Sequence, residues 1–265
     1  MKEFKDKVVW ITGASSGIGE ALAIDLAKKG CRLILSARRE NELKRVGENT
    51  KLPPLDLMIL PLDLINTSNA SAWVAQIINH FGRIDILINN GGMSQRSSLL
   101  ETTVEIEREL MEVNYFAQVN IAKAVLPYMI KQKSGSIVVI SSIVGKFGFY
   151  LRSSYSAAKH ALHGYFESLR LENENKGIKV MMVCPGKIKT SVSLNAVIAD
   201  GNKHNQMDPS HENSMSAEQC AAIIIEGIIN NKHEIFVGGK ELLMIKIKRF
   251  FPTWFSKLIR KQSPY

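Results

Sequence analysis

Short apolar segments alternate with longer amphipathic segments along most of this chain. The apolar segments are rich in Val, Ile and Leu, a composition typical of strands that are buried on both faces of a sheet. They cover residues 8–11, 33–35, 57–60, 84–88, 137–140, 179–183 and 234–237. The intervening segments predict helices at residues 18–29, 40–51, 71–80, 104–131, 154–175 and 217–230, with a kink or break near Pro127. The alternation predicts an α/β domain, with a parallel sheet of about seven strands and helices on both faces.

The alternation of strands and helices ends near residue 239, so we expect a single domain at residues 1–239 and a basic amphipathic tail at residues 240–265. The tail carries seven Lys and Arg residues against one acid, Glu241, and Pro252 predicts that it forms two short helices. Basic residues interleaved with Trp, Phe and Leu are typical of a helix that lies at a membrane surface. Packing on its own domain or on a neighbouring subunit, or at the mouth of a substrate pocket, are the alternatives.

The composition excludes several classes of protein. A chain of 265 residues with 45% hydrophobic content can bury one large core, and it contains no run of eighteen apolar residues that would predict a transmembrane helix. The N-terminus lacks the apolar region of a signal peptide. Three widely spaced cysteines suit a reducing compartment, so we expect a cytoplasmic protein whose membrane contact, if any, is peripheral. Because metal-ligand spacing and nucleic-acid motifs are both missing, we predict neither kind of site.

Tyr155 and Lys159 are the most informative residues. At positions i and i+4 they share one helix face, where the Lys charge can help stabilise a phenolate. A free phenol titrates near ~10, so it needs such help to act as an acid or base at neutral pH. Ser142 can hold a carbonyl or alcohol oxygen, and the glycine cluster at residues 12–19 can receive a dinucleotide at a helix N-terminus. Together these residues predict hydride transfer between a nicotinamide and a carbonyl carbon.

This pattern resembles the short-chain dehydrogenase/reductase family over residues 7–239. The family fingerprints are Thr-Gly-x-x-x-Gly-x-Gly, Asn-Asn-Ala-Gly, a Ser and Tyr-x-x-x-Lys, and the chain carries all four in order. Its one departure is Gly91, where the family usually has Ala. The resemblance implies a Rossmann-like doubly wound sheet, a homodimer or homotetramer, and an oxidoreductase that interconverts a ketone and a secondary alcohol. A non-catalytic nucleotide sensor or scaffold on the same fold is the alternative.

The resemblance also implies roles for individual residues. Tyr155 would protonate the carbonyl oxygen, Ser142 would hydrogen-bond it, and Lys159 would lower the tyrosine pKa and hold the nicotinamide ribose. Asn114 would bind a water that links the lysine to solvent, although a polar residue buried by chance is the alternative reading of the sequence. The implied cofactor contacts are Gly13, Ser15, Ser16, Gly17, Ile18, Gly19, Arg38, Asp63, Asn90, Gly91, Tyr155, Lys159, Pro185, Ile188 and Thr190.

The end of the second predicted strand bears on the choice of cofactor. It reads Ser36-Ala37-Arg38-Arg39 and offers no carboxylate before Glu40 for the ribose 2′-hydroxyl of NAD. Arg38 can pair with a 2′-phosphate, so we expect NADP(H) to be preferred over NAD(H), and Arg39 to begin a solvated helix face. Asp63 has two compatible roles, as a contact of the adenine amino group and as the cap of the following helix.

The substrate side is apolar and aromatic. Phe147, Phe149, Tyr150 and Leu151 precede the tyrosine, and the stretch of residues 191–215 adds Leu194, Val197, Ile198, Met207 and Met215. Such a wall suits a small hydrophobic carbonyl or alcohol substrate. The same side chains would equally serve to fill the core or a subunit interface.

Overall fold

The computed structural model of the protein describes residues 3–190, 196–204 and 214–262, and within them seven strands form one parallel sheet. The strand order is β3-β2-β1-β4-β5-β6-β9, and a separate parallel pair, β7 and β8, lies outside this sheet. The strands are β1 (Val8–Thr12), β2 (Arg32–Ser36), β3 (Leu57–Ile59), β4 (Ile86–Asn89), β5 (Gly135–Ile140), β6 (Ile178–Pro185), β7 (Ile188–Lys189), β8 (Met215–Ser216) and β9 (Glu234–Val237). The predicted α/β class with a Rossmann-like parallel sheet is confirmed.

Helices cover both faces of the sheet because successive strand residues point to opposite sides. The described helices are α1 (Gly17–Lys28), α2 (Glu40–Thr50), α3 (Ala70–Phe81), α4 (Val104–Met111), α5 (Ala117–Lys131), α6 (Ser153–Asn173), α7 (Ala217–Ile229), α8 (Leu243–Phe250) and α9 (Pro252–Arg260). In β1, Val9 and Ile11 join the core beneath α1, α2 and α7, whereas Val8 and Trp10 join the core beneath α3, α5 and α6.

The long helix predicted at residues 104–131 is interrupted, but not near Pro127 as the sequence predicted. A π-helical turn at Glu112–Phe116 separates α4 from α5, and Pro127 lies inside α5. Pro127 has no N–H group, so the Lys123 carbonyl oxygen lacks its helical hydrogen bond. Because Lys123 and Pro127 are both exposed, water can bind this oxygen, and the helix continues through the proline. Turns of the π type occur often at functional sites, and this one carries Asn114.

The C-terminal tail folds back onto the domain as α8 and α9, separated before Pro252 as predicted. The inner face of the two helices buries Ile247 and Phe255 in a cluster with Val144 and Phe147. The outer face leaves large apolar side chains exposed, namely Leu243, Phe250, Phe251 and Trp254. Within the described residues, no helix is both long enough and apolar enough to cross a membrane.

Candidate active site

The sequence motifs meet at the carboxyl edge of the sheet. The order of strands reverses between β1 and β4, and in open α/β sheets ligands bind in the crevice outside such a reversal. The glycine loop follows β1, Asn89 ends β4, Ser142 follows β5 and Pro185 ends β6. Because all these strands are parallel, their ends bring residues that are distant in sequence to one edge.

The glycine loop joins β1 to α1. Gly13 and Gly17 adopt positive φ angles of 66° and 58°, which L side chains rarely adopt. A Cβ atom on Gly19 would lie 2.3 Å from the Gly13 carbonyl oxygen, so the start of α1 packs directly on the loop backbone. The Ser16 side chain does not cap α1, which leaves the first helical N–H groups available to an anion. The loop therefore fits a pyrophosphate.

The Asn-Asn-Gly-Gly segment is bound to the glycine loop by hydrogen bonds. The Asn90 side chain donates to the carbonyl oxygens of Thr12 and Gly13 at 3.0 and 3.1 Å. The Thr12 hydroxyl oxygen in turn accepts from the backbone N–H groups of Asn90 and Gly91 at 3.1 and 3.0 Å. A Cβ atom on Gly91 would lie 2.5 Å from a Leu64 methyl, so an Ala at this position would require the Leu64 side chain to move.

The arginines after β2 differ in their contacts. Arg39 is exposed at the start of α2, as expected, and it also donates to the Ser15 hydroxyl of the glycine loop at 3.2 Å. Arg38 is exposed as well. Asp63 is also exposed and accepts from the Ile65 N–H at 3.1 Å in a turn, whereas α3 begins seven residues later, so its expected role as helix cap is wrong.

Ser142, Tyr155 and Lys159 converge beside this loop. Ser142 lies half-buried after β5, and its hydroxyl donates to the Pro185 carbonyl oxygen at 3.4 Å. Tyr155 is half-buried on the first turn of α6. Lys159, one turn later, is 4% exposed, and its Nζ lies 5.7 Å from the centre of the tyrosine ring and donates to the Ile140 carbonyl oxygen at 2.9 Å. The predicted Tyr and Lys therefore share one face, as their spacing requires.

Asn114 reaches the same place from the π-helical turn. It is fully buried, and its side chain donates to the carbonyl oxygens of Met93 and Leu110 at 3.0 and 2.9 Å. Its Oδ1 accepts from the Met93 N–H at 3.2 Å. A Cβ atom on Gly92 would lie 2.7 Å from Asn114 Oδ1 and 3.6 Å from Lys159 Nζ, so the two groups flank this glycine. Asn114 is therefore hydrogen-bonded to the loop beside Lys159, and its role with a bound water stays a prediction.

Burial is the largest influence on the pKa values of the predicted catalytic residues Tyr155 and Lys159. Burial raises the pKa of Tyr155, whereas the charge of Arg152 and a hydrogen bond with Ser142 lower it by less. Burial also lowers the pKa of Lys159 to about 8. The sequence assigned the lowering of the tyrosine pKa to Lys159, and that assignment stays a prediction. Arg152 is a second cation near the phenol that the sequence did not reveal.

The segment after β6 contacts both the glycine loop and the tail. The methyl group of Thr190 lies 3.2 Å from the position that a Cβ on Gly17 would occupy. Ile188 is buried in the core, next to Pro185 at the end of β6. The Glu241 carboxylate accepts from the N–H groups of Lys187 and Gly239 at 2.9 and 3.0 Å.

Glu241 thus anchors the first turn of the tail to the predicted nicotinamide segment. Its burial would raise the pKa of its carboxyl group, but the N–H donors of Lys187 and Gly239 outweigh this and hold the pKa below its usual range. A Cβ atom on Gly186 would lie 2.3 Å from its Oε1. This contact spans 54 residues, and its one signal in the sequence is the single acid in a basic tail.

The predicted substrate wall divides into two parts. Phe147 is 2% exposed and packs edge-on against Phe255 of α9, so it fills the interface with the tail. Phe149 lies at the border of this cluster, together with Tyr155. Val197 packs instead against α4. Of the other predicted wall residues, Leu194 and Met207 lie outside the described residues.

A buried polar cluster lies behind Lys159. His163 is one turn further along α6, and its Nε2 lies 3.0 Å from the Ser141 hydroxyl and 3.7 Å from Cys184 Sγ. Glu234 comes within 3.5 Å of His163 Nδ1, but its carboxylate pairs with the Lys146 ammonium group at 2.6 Å. Burial first, and then the charge of Lys146, lower the pKa of His163 to about 4, so the imidazole is neutral at pH 7.

Two residues that the sequence did not single out are built into the site. Gln95 is fully buried, and its side-chain oxygen accepts from the Tyr155 backbone N–H at 3.1 Å. Arg152 donates to the Ser94 hydroxyl at 2.6 Å and to the Gln95 carbonyl oxygen at 3.1 Å. The Gln95 side chain follows the Asn-Asn-Gly-Gly segment, and its neighbours in the sequence give no sign that it binds α6. For Arg152, the position three residues before Tyr155 is the one sequence feature that indicates a place near the site.

Comparisons with known proteins agree with this geometry. A family model described as "short chain dehydrogenase" matches residues 7–199, more than half of the chain. The human "Dehydrogenase/reductase SDR family member 7" is 42% identical over 260 residues, which cover 95% of this chain and 76% of that protein. A Drosophila melanogaster protein, "Dehydrogenase/reductase SDR family protein 7-like", is 42% identical over 262 residues, which cover 97% of this chain and 80% of that protein.

Solved structures share the whole fold. The crystal structure of a short-chain dehydrogenase from Streptomyces avermitilis matches with a TM-score of 0.81 and 28% identity, over 98% of this chain and 100% of that one. A Burkholderia phymatum short chain dehydrogenase/reductase in complex with NAD matches with a TM-score of 0.83 over 94% of this chain and 95% of that one, and at 23% identity it shows the fold alone. From the family match and the identity with these relatives, the chain belongs to the short-chain dehydrogenase/reductase family of oxidoreductases.

Proposed function

We propose that the protein is an NADP(H)-dependent carbonyl reductase or alcohol dehydrogenase that acts on a hydrophobic ketone or secondary alcohol. The observation that carries this proposal is the convergence of Ser142, Tyr155 and Lys159 beside a glycine loop that fits a pyrophosphate. The bound nicotinamide would supply or accept the hydride. Such an arrangement has no use in a protein that only senses or carries a nucleotide.

Each side chain then has a separate task. The Tyr155 hydroxyl gives its proton to the carbonyl oxygen, and Ser142 donates a hydrogen bond to the same oxygen. Lys159 holds the ribose and stabilises the phenolate that remains, while Asn114 fixes the loop at Met93 next to it. Burial raises the pKa of Tyr155, and the Lys159 charge would act in the opposite direction when the proton leaves the phenol.

The preference for NADP(H) rests on the arginines after β2. Arg39 reaches the glycine loop through Ser15, and Arg38 is exposed beside it, so two cations are available to a 2′-phosphate. Between the end of β2 and Glu40 there is no carboxylate that would bind a ribose 2′-hydroxyl. NAD(H) is the second candidate, and one structural relative is described in complex with it.

The surface supports two kinds of association. Three large apolar side chains are exposed on neighbouring helices: Phe116 in the π-helical turn, Tyr128 on α5 and Leu171 on α6. We propose that a homodimer or homotetramer covers them. The outer face of α8 and α9 exposes Phe250 and Trp254 among basic residues, which supports contact with an anionic membrane surface. The domain division at residue 239 also remains a proposal, since the tail is packed against the domain.

The experiment that tests the function is turnover of a panel of hydrophobic ketones with NADPH. Tyr155→Phe removes only the ionisable oxygen, so it should retain NADPH binding while turnover falls by ~10² or more. Tyr165→Phe, on the same helix but outside the site, is the matched control and should keep its activity. NADPH binding without turnover of any ketone or alcohol would favour the alternative, a nucleotide sensor or scaffold.

A further inference from the structure

The helix that carries the catalytic tyrosine begins without a cap of its own. Arg152 occupies the position before α6, with φ −141° and ψ 34°, and its side chain makes no capping hydrogen bond. The first N–H groups of a helix have no intrahelical partner, and a partly buried one needs an acceptor from elsewhere. Tyr155 is the third residue of α6, so its backbone N–H is one of these groups.

The acceptor comes from a residue 60 positions earlier in the chain. The side-chain oxygen of Gln95 accepts from the Tyr155 N–H at 3.1 Å, in the place where a Ser, Thr or Asp usually caps a helix. Gln95 is 0% exposed, so no water competes for this bond. The cap is therefore supplied by the loop after β4, and it acts on the backbone of the catalytic residue itself.

The other end of the Gln95 carboxamide is equally fixed. Its Nε2 lies 3.3 Å from the Ser97 hydroxyl, 3.2 Å from that of Thr102 and 3.3 Å from that of Ser153. Its backbone carbonyl oxygen accepts from Arg152 at 3.1 Å. With both ends bonded, the carboxamide holds one orientation, and its oxygen defines a single position for the Tyr155 N–H.

The same loop also holds Asn114. Met93, two residues before Gln95, exchanges two hydrogen bonds with the Asn114 side chain. One short loop segment therefore fixes the backbone at Tyr155 and the side chain of Asn114 at once. A displacement of about 1 Å at a reacting group can reduce the rate by ~10². The position of Tyr155 relative to Ser142 therefore depends on the hydrogen bonds that this loop makes.

We propose that Gln95 is a positioning residue for the catalytic tyrosine, acting as the cap of α6 from the loop after β4. This inference rests on the proposed function for its effect on turnover, but not for its effect on the helix. Loss of the carboxamide oxygen should free the Tyr155 N–H and let the first turn of α6 fray. The glycine loop lies elsewhere, and Lys159, which would hold the ribose, lies one turn beyond Tyr155 on α6, so the NADPH Kd should stay nearly constant while kcat falls.

The variants are chosen to separate the cap from general stability. Gln95→Met keeps the length and volume of the side chain but removes the acceptor, whereas Gln95→Glu keeps an oxygen that faces the N–H. Gln132→Met is the matched control, because the Gln132 side chain also binds a backbone, accepting from the Ile84 N–H at 3.3 Å and donating to its carbonyl oxygen at 3.0 Å. Gln132 lies at the opposite edge of the sheet, near the start of β4.

Two measurements decide the proposal. In hydrogen–deuterium exchange, the Tyr155 amide should exchange at least tenfold faster in Gln95→Met and unchanged in Gln132→Met. In turnover per NADPH-binding site, which corrects for misfolded protein, Gln95→Met should lose 10- to 100-fold in kcat at constant NADPH Kd, and Gln95→Glu should recover part of it. The pH profile of kcat should also shift in Gln95→Met alone.

Unchanged exchange at Tyr155 in Gln95→Met would overturn the proposal, whatever the turnover. So would a kcat that falls no further than in Gln132→Met. The wild-type protein could turn over no carbonyl or alcohol substrate while the Tyr155 amide still exchanges faster in Gln95→Met than in wild type. In that case the proposed function fails, but the role of Gln95 as a helix cap is supported. If Gln95→Met does not fold, a Tyr155 amide that exchanges as slowly in Gln95→Glu as in wild type supports the role of the oxygen, and an unprotected Tyr155 amide in a folded Gln95→Glu contradicts it.

Discussion

Replacing Phe255 by Ala should release the end of the tail from the domain. Phe255 is 8% exposed, and its ring packs edge-on against Phe147 with the ring centres 5.4 Å apart. Truncating a buried Phe to Ala costs about 3–5 kcal/mol. Because this cluster is small and lies near the surface, we take about 3 kcal/mol, and since about 1.4 kcal/mol is tenfold, the docked fraction relative to the undocked should fall by roughly a hundredfold.

Limited trypsin digestion followed by mass spectrometry measures this change. Cleavage of a briefly opened segment follows the population of its open form, so cuts after Lys257 and Arg260 should become roughly a hundredfold faster in Phe255→Ala. The sheet does not depend on this cluster, so the main thermal transition should move little. Trp254→Ala is the matched control, because Trp254 is the preceding residue but is 53% exposed on the outer face. Equal cleavage rates in wild type and Phe255→Ala would refute packing of the tail as the source of its order.

Three further predictions concern the cofactor, the response to acid and the membrane. Arg38→Asp and Arg39→Asp should each weaken NADPH relative to NADH by roughly ten- to a hundredfold in Kd, since a hydrogen bond to a charged group contributes about 1.5–3 kcal/mol; an unchanged ratio in both variants would place the determinant elsewhere. The pKa of His163 is about 4 in the folded protein and 6.5 when unperturbed, so below pH 6.5 the unfolded state binds a proton that the folded state does not, and stability falls as pH drops from 6.5 to 4. His163→Gln should therefore reduce the loss of Tm between pH 7 and pH 5, and an identical loss would show that other groups dominate. The protein should sediment with anionic vesicles at low salt and be released as salt rises, and the double variant Phe250→Ser, Trp254→Ser should not sediment; binding that survives in this variant would contradict contact through the tail.

The membrane prediction has a control in the same chain. Leu100 is 94% exposed and lies far from the tail in sequence, so Leu100→Ser removes a large exposed apolar side chain without changing α8 or α9. This variant should sediment as the wild type does. Sedimentation lost in Leu100→Ser as well would indicate that general hydrophobicity, not the tail, drives the association.

The sequence predicted the alternation of strands and helices because each strand is a compact apolar run. All five residues of β1 are buried, and an apolar run of this length predicts a buried strand even when its neighbours in the sheet are unknown. The position of the site followed in turn, because the glycine loop, Asn90 and Ser142 each stand directly after a strand of a parallel sheet. Local pattern and strand direction were enough for these residues.

Contacts across long sequence distances were beyond the reach of the same reasoning. The Tyr155 N–H donates to Gln95, Arg39 donates to Ser15 and the Lys187 N–H donates to Glu241, and the sequence around these residues gives no periodic signal of the bonds. The π-helical turn at Glu112–Phe116 was missed for a related reason. It is stabilised through the bonds of Asn114 to Met93, a partner 21 residues away, while Pro127 offered a misleading local signal.

The contact between Glu241 and the turn after β6 makes two distant positions interdependent in evolution. A methyl group on Gly186 would overlap the Glu241 carboxylate, with its Cβ 2.3 Å from Oε1, and a Cβ on Gly238 would lie 2.6 Å from the same atom. An Ala at Gly186 would therefore require the Glu241 carboxylate to move, and either its movement or the loss of the acid takes the acceptor away from the N–H groups of Lys187 and Gly239. The effect of a mutation at either position thus depends on the residue at the other, which couples the tail to the turn beneath it.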